Sequence, residues 1–119
     1  MIQLGTSIEA YLILGPTDLR KSFQGLSDIV ASHDRKLSKG GSLYVFSNRL
    51  RNRIKILSFD GTGLWVSAKR LEEGNFSWPR EAEHPELEIL PLRGEALVPL
   101  LDGVDLRGAK LRPWYERSS

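Results

Sequence analysis

The sequence contains no cysteine. That absence excludes a disulfide framework, a thiolate zinc site and a cysteine nucleophile. Histidine is nearly as scarce. His33 and His84 are the only two, and neither HxxxH nor HxH spacing occurs. No metal and no cofactor is therefore expected. The motifs of common enzyme classes are missing as well, with no GxSxG, no P-loop and no GxGxxG. No apolar run approaches the ~20 residues that span a bilayer. The longest candidate, Tyr11 to Leu14, is strand-sized. The first residues, Met1-Ile2-Gln3-Leu4-Gly5, lack the basic and then apolar pattern of a secretory signal. These absences set the expectation of a cytoplasmic chain with no membrane contact.

What is present suits one modest core. The chain has 119 residues, 40% hydrophobic and 27% charged, too apolar for disorder. The expected organisation is a domain over 1–106 and a basic C-terminal tail over 107–119. The net charge of +2 conceals a polarity along the chain. Residues 1–19 sum to −2, residues 20–70 to +8, residues 71–105 to −7 and residues 106–119 to +3.

Residues 8–14 read as a strand stopped by Gly15-Pro16. Thr17 or Asp18 then offers a cap, and Leu19, Phe23, Leu26, Val30 and His33 form one face of an amphipathic helix over about 18–33. Gly25 weakens that helix by roughly 1 kcal/mol relative to Ala, and close packing against a sheet is the expected reason for it. Residues 34–42 are a polar loop. Leu43 to Ser47, Arg53 to Phe59 and Leu64 to Leu71 read as strands joined by short turns at 48–52 and 60–63. Phe76-Ser77-Trp78 reads as a fourth strand of this run, and Leu87 to Leu90 as a short further one. Leu97, Leu100, Leu101 and Val104 suit a short helix ending at Gly103. The expected fold is α+β: an antiparallel meander of about five strands, packed with one N-terminal amphipathic helix and one short C-terminal helix.

The basic block carries the functional signal. Arg20 and Lys21 fall at the expected helix start, where cations oppose the macrodipole; a bound anion is one reason to place them there, and pointing into solvent or pairing with Asp18 is the other. Arg49, Arg51, Arg53 and Lys55 alternate through the first hairpin, and Arg53 and Lys55 share a strand face. Lys69 and Arg70 on the next strand extend the patch across the sheet. A ribbon with a cationic face suits nucleic-acid phosphates, and a merely solvated sheet face stands beside that reading. Tyr44, Phe46, Phe59, Trp65, Phe76 and Trp78 interleave the block; most are read as core or cross-strand pairs, with base stacking left to one or two of them. The acids near the block, Asp60, Glu72 and Glu73, sit in turns and follow no metal-ligand spacing.

These segments resemble a known family. Asp18-Leu19-Arg20-Lys21-Ser22-Phe23-Gln24-Gly25-Leu26 is similar to its D-M-R-K-S-F-D-G-L segment. Leu43 to Arg49 is similar to its FVF-x-N-R segment. Arg53-Ile54-Lys55-Ile56-Leu57 with Asp60-Gly61 resembles R-x-K-I-L-x-x-D-x-x-G. Lys69-Arg70-Leu71-Glu72 with Phe76-Ser77-Trp78-Pro79 resembles K-R-L-E-x-G-x-F-x-W-P, and Leu100 to Asp105 resembles L-L-x-G-I-D. The family is the accessory transposition protein TnpB of insertion sequence 66, which shares only a name with the RNA-guided nuclease TnpB. The likeness runs colinearly over about 16–106. It departs at Ser58-Phe59, Ala68 and Pro99.

The resemblance implies a non-enzymatic part in DNA transposition, beside a transposase and another accessory protein of the same element. The first expectation is thus a protein that binds DNA, or the transposase–DNA complex, through a basic face. The DNA-binding candidates are Arg20, Lys21, Arg49, Arg51, Arg53, Lys55, Lys69 and Arg70. The second is a protein–protein adaptor for the transposase without DNA contact. The third is a metal-dependent nuclease.

Overall fold

The computed structural model describes residues 9–33, 42–80 and 88–106. The tail at 107–119, most of the loop at 34–42 and most of the acidic connection at 80–86 lie outside them. Among the described residues five strands form one sheet: β1 (Glu9–Ile13), β2 (Ser42–Ser47), β3 (Arg53–Phe59), β4 (Leu64–Arg70) and β5 (Ile89–Leu92). Helix α1 (Phe23–His33) lies between β1 and β2 in the chain, and α2 (Leu97–Leu101) follows a single 3-10 turn at Gly94–Ala96.

The fold is α+β as expected, but the sheet is mixed. Its order is β4-β3-β2-β1-β5, and β1 runs parallel to β2. A parallel neighbour needs a crossover, and α1 supplies it. The other three pairings are antiparallel. The expected meander therefore holds only for β2-β3-β4. Phe76-Ser77-Trp78 is not a strand. It crosses the sheet as an irregular buried segment, because its polar groups bond elsewhere: the Phe76 N–H to the Arg51 carbonyl at 2.6 Å and the Ser77 hydroxyl to the Val104 carbonyl at 3.1 Å.

The central strands are buried on both faces, which explains their nearly unbroken apolar runs. One face of the sheet packs Ile13, Tyr44, Phe46 and Leu57 under Leu26 and Val30 of α1. The other packs Leu12, Val45, Ile54 and Ile56 under Phe76, Trp78, Leu97 and Leu100. Tyr11 and Tyr44, opposite one another on the parallel strands, stack with centroids 5.3 Å apart.

Helix α1 begins five residues later than the spacing predicts. Asp18 does not cap it. Its carboxylate instead accepts the Arg20 backbone N–H at 3.0 Å, an Asx turn. Ser22 takes the cap position, its carbonyl accepting the Leu26 N–H at 2.9 Å. Phe23, expected on the buried stripe, is 49% exposed. Gly25 does give room, but to the Lys21 stem rather than to the sheet. A Cβ there would lie 3.0 Å from Lys21 Cβ. Helix α2 ends as expected. Gly103 has φ +79, its N–H bonds the Leu100 carbonyl, and the Val104 N–H bonds the Pro99 carbonyl at 3.0 Å. This is a Schellman motif.

Candidate functional site

The hairpin of β3 and β4 is set by its turn. Asp60 Oδ1 accepts from the backbone N–H groups of Thr62 and Gly63 and from the Thr62 hydroxyl, each at 2.9 Å, and Oδ2 accepts from Trp65 Nε1 at 2.8 Å. The Thr62 backbone N–H, then the Trp65 indole, the Thr62 hydroxyl and the Gly63 N–H hold this carboxyl well below the usual carboxylate range. Gly61 supplies φ +97. With its oxygens so engaged, Asp60 shapes the turn. Among the described residues no group of three or more His, Asp or Glu side chains is placed to hold a metal ion.

From the Asp60–Gly63 bond, seven residues back along β3 and seven forward along β4 bring Arg53 opposite Arg70. The Leu71 N–H to Asn52 carbonyl bond of 3.0 Å marks the next hydrogen-bonded position at the far end. Arg53 and Arg70 thus occupy a non-hydrogen-bonded pair, the closer of the two antiparallel geometries, with Cα atoms ~4.5 Å apart. Like charges directly opposite are destabilising. Lys55 lies two residues along on the same face, opposite Ala68. Its Nζ donates to the Lys21 carbonyl at 2.8 Å, which ties the 18–22 turn to this face. Among the described residues no carboxylate pairs with Arg53, Lys55 or Arg70. A cleft of about 380 Å³ opens here, lined by Leu19, Arg53, Ile54, Lys55, Ala68, Lys69 and Arg70.

The remaining candidate cations go elsewhere. Lys69 neighbours Arg70 but points to the opposite face, where Nζ donates to the Leu101 carbonyl at 2.7 Å. A cation at a helix C-terminus satisfies its orphan carbonyls. Arg51, in the left-handed region at φ +57, turns inward. Its Nη2 donates to the Leu14 carbonyl at 2.9 Å and its guanidinium lies 5.2 Å from the Trp78 ring centroid. Trp78 Nε1 donates to the carbonyls of Ile13 and Leu14, both at 3.2 Å, so Arg51 and Trp78 together lock the hairpin to the end of β1.

The unusual Arg51 backbone is framed by Asn48. Its Oδ1 accepts the N–H groups of Asn52 and Arg53 at 3.1 Å each, while Nδ2 donates to Asn52 Oδ1 at 2.7 Å. Arg49 is exposed on this turn. Arg20, 91% exposed, is held by Asp18 through Nη2–Oδ2 at 2.7 Å and Nε–Oδ1 at 3.0 Å. The Arg20 side chain, with its backbone N–H second, keeps the Asp18 carboxyl well below its ordinary range.

The structure therefore brings together Arg53, Lys55 and Arg70, with the turn bearing Lys21 beside them. It does not bring the Arg51 guanidinium to that group, and Lys69 borders the cleft with its ammonium turned to the opposite face. Sequence reasoning did not identify Leu19 and Ala68 as walls of the cleft. The signal for Ala68 was there, because the length of the 60–63 turn fixes its pairing with Lys55.

Among known proteins, the family described as IS66 Orf2-like matches residues 8–111. Two relatives come from Sinorhizobium fredii (strain NBRC 101917 / NGR234). The uncharacterized protein y4hO is 33% identical over 107 residues, 90% of either chain. The uncharacterized protein y4jC is 30% identical over 98 residues, 82% of this chain and 80% of that protein. No solved structure matches.

Proposed function

Because the chain belongs to the IS66 Orf2-like family, whose members are accessory proteins of these insertion sequences, we propose that it assists transposition by gripping DNA phosphates in the Arg53–Arg70 cleft. One observation carries this reading. Two arginines face each other at the closest cross-strand position, with no carboxylate between them among the described residues. An isolated protein gains nothing from that repulsion. A phosphodiester bridging the two guanidinium groups reverses its sign, and two planar forks suit phosphate oxygens well. Lys55 adds a third cation on the same face, and Leu19 gives an apolar wall for the sugar edge.

In this reading the protein performs no bond chemistry. It holds DNA beside the transposase, through contacts that position without reading bases. The test is fluorescence anisotropy on a labelled duplex across a salt series. Wild type should show log affinity falling linearly with log salt, by ~0.9 per phosphate neutralised. Arg53→Gln with Arg70→Gln should weaken binding and shed ~1–2 from that slope. No retention of duplex by wild-type protein at low salt, alone or with transposase, overturns the reading and leaves the adaptor role in its place.

A further inference from the structure

The sheet has two outer strands, and they are built differently. At the β5 edge the Leu14 N–H bonds the Glu88 carbonyl at 2.9 Å, and the alternation from there turns the backbone of Ile89 and Pro91 outward. Pro91 has no N–H, so this short edge cannot donate at its centre. Such a proline is a common block to edge-to-edge pairing.

Among the described residues the β4 edge has no proline block and no further strand beside it. It is seven residues long, without proline. The same alternation that makes Arg53–Arg70 a non-hydrogen-bonded pair turns the N–H and C=O groups of Leu64, Val66, Ala68 and Arg70 outward. Beside that open ladder stands Trp65, 44% exposed, with its indole fixed by Asp60.

We propose that β4 pairs with β4 of a second copy of this chain, antiparallel and centred on Ser67. One register uses every outward group. Leu64 lies opposite Arg70 of the partner and Val66 opposite Ala68, as hydrogen-bonded pairs. Trp65 lies opposite Lys69, and Ser67 opposite Ser67, as the closer non-hydrogen-bonded pairs. This register keeps cation from cation: each Arg70 meets a leucine, and each Lys69 stem lies beside an indole while its Nζ keeps the Leu101 carbonyl. Side-chain parity is kept across the junction, so the two-fold axis stands normal to the sheet. Both Arg53–Arg70 clefts then open on the same side of a continuous ten-stranded sheet. The pairing does not depend on DNA being the ligand of those clefts.

Two variants of the full chain test it by analytical ultracentrifugation. Val66→Pro removes an outward N–H and leaves the β3–β4 ladder whole. It should weaken the dimer by ~10-fold or more, since the lost bond counts twice across the axis. Ser67→Cys places the chain's sole thiol at the axis, within disulfide reach of its copy. It should cross-link on mild oxidation, whereas Thr62→Cys, outside the paired strand, should not. Wild type that stays monomeric to hundreds of micromolar overturns the proposal. So does a dimer that Val66→Pro leaves intact, or a Ser67→Cys protein that cross-links no faster than Thr62→Cys. A poorly folded Val66→Pro leaves the cysteine pair to decide.

Discussion

The arginine pair on one face of the β3–β4 ribbon and the cations on the other are treated in opposite ways. On the α2 side each cation has a structural partner. Lys69 closes the end of α2 through the Leu101 carbonyl, and Arg51 braces Trp78 and the Leu14 carbonyl. On the α1 side Arg53 and Arg70 oppose one another across the closest position the ladder offers, with no carboxylate among the described residues to answer them. Neighbours in sequence, Lys69 and Arg70 differ only in which way the pleat turns them. Positive charge along a chain is thus not yet a surface for an anion. Lys55, on the α1 side, is tied to the Lys21 carbonyl, so what sets the Arg53–Arg70 pair apart is that no described group of the protein answers it.

Breaking the structural side should cost the most. Trp78→Ala removes a side chain only 7% exposed, together with its bonds to Ile13 and Leu14. A loss of about 3–5 kcal/mol is expected, read as an earlier midpoint in urea. Any folded fraction should still bind DNA. Lys69→Met gives a sharper contrast, since it removes one charge beside Arg70 from the opposite face. It should cost about 1 kcal/mol by urea titration and leave the salt slope of DNA binding unchanged. Arg70→Gln should lower that slope by ~1.

The smallest effect concerns the turn that sets the register. The Asp60 carboxyl is held below its ordinary range in the folded chain, so its ionised form favours folding above the unfolded value of about 3.9. That contribution fades as the pH falls below about 4 toward the folded value. Asp60→Asn should lower stability near neutrality, where the ionised form contributes in full, and flatten the acid limb of the profile, so that variant and wild type converge as the pH falls.

Much of this arrangement was legible from the sequence. The strand at 53–59 agrees with β3 residue for residue, and the stop at Gly103 follows from glycine's tolerance of the left-handed region. The parallel pairing of β1 with β2 was harder to read, because a strand buried on both faces shows the same apolar run whatever its neighbour's direction. The helix between them was the available clue. The start of α1 moved because Asp18 can serve two backbones, a cap or an Asx turn, and Arg20 holds it in the second. Phe76 and Trp78 have strand composition, yet the sheet takes their side chains on its face and leaves their backbone to other partners.

For the cation cleft, alternation along β3 placed Arg53 and Lys55 together. The choice between Lys69 and Arg70 needed the cross-strand register. The inward turn of Arg51 depends on a positive φ that Asn48 enforces through side-chain bonds, and composition does not reveal it. The segmented charge also reads differently in space. Glu88 pairs with His33, at 2.6 Å, and Glu95 with Arg93, at 3.1 Å, so these two acids of the acidic block are placed away from Arg53 and Arg70.

On the proposed reading the Arg53–Arg70 opposition serves an anion and not the fold. Thermal unfolding of wild type and Arg70→Gln at low salt, with and without duplex DNA, tests it most directly. Without DNA, Arg70→Gln should melt at or above the wild-type temperature, because a like-charge pair has been relieved. With DNA, wild type should gain the larger increase in Tm. An Arg70→Gln protein that melts earlier without DNA, and gains as much from it as wild type, would contradict the account.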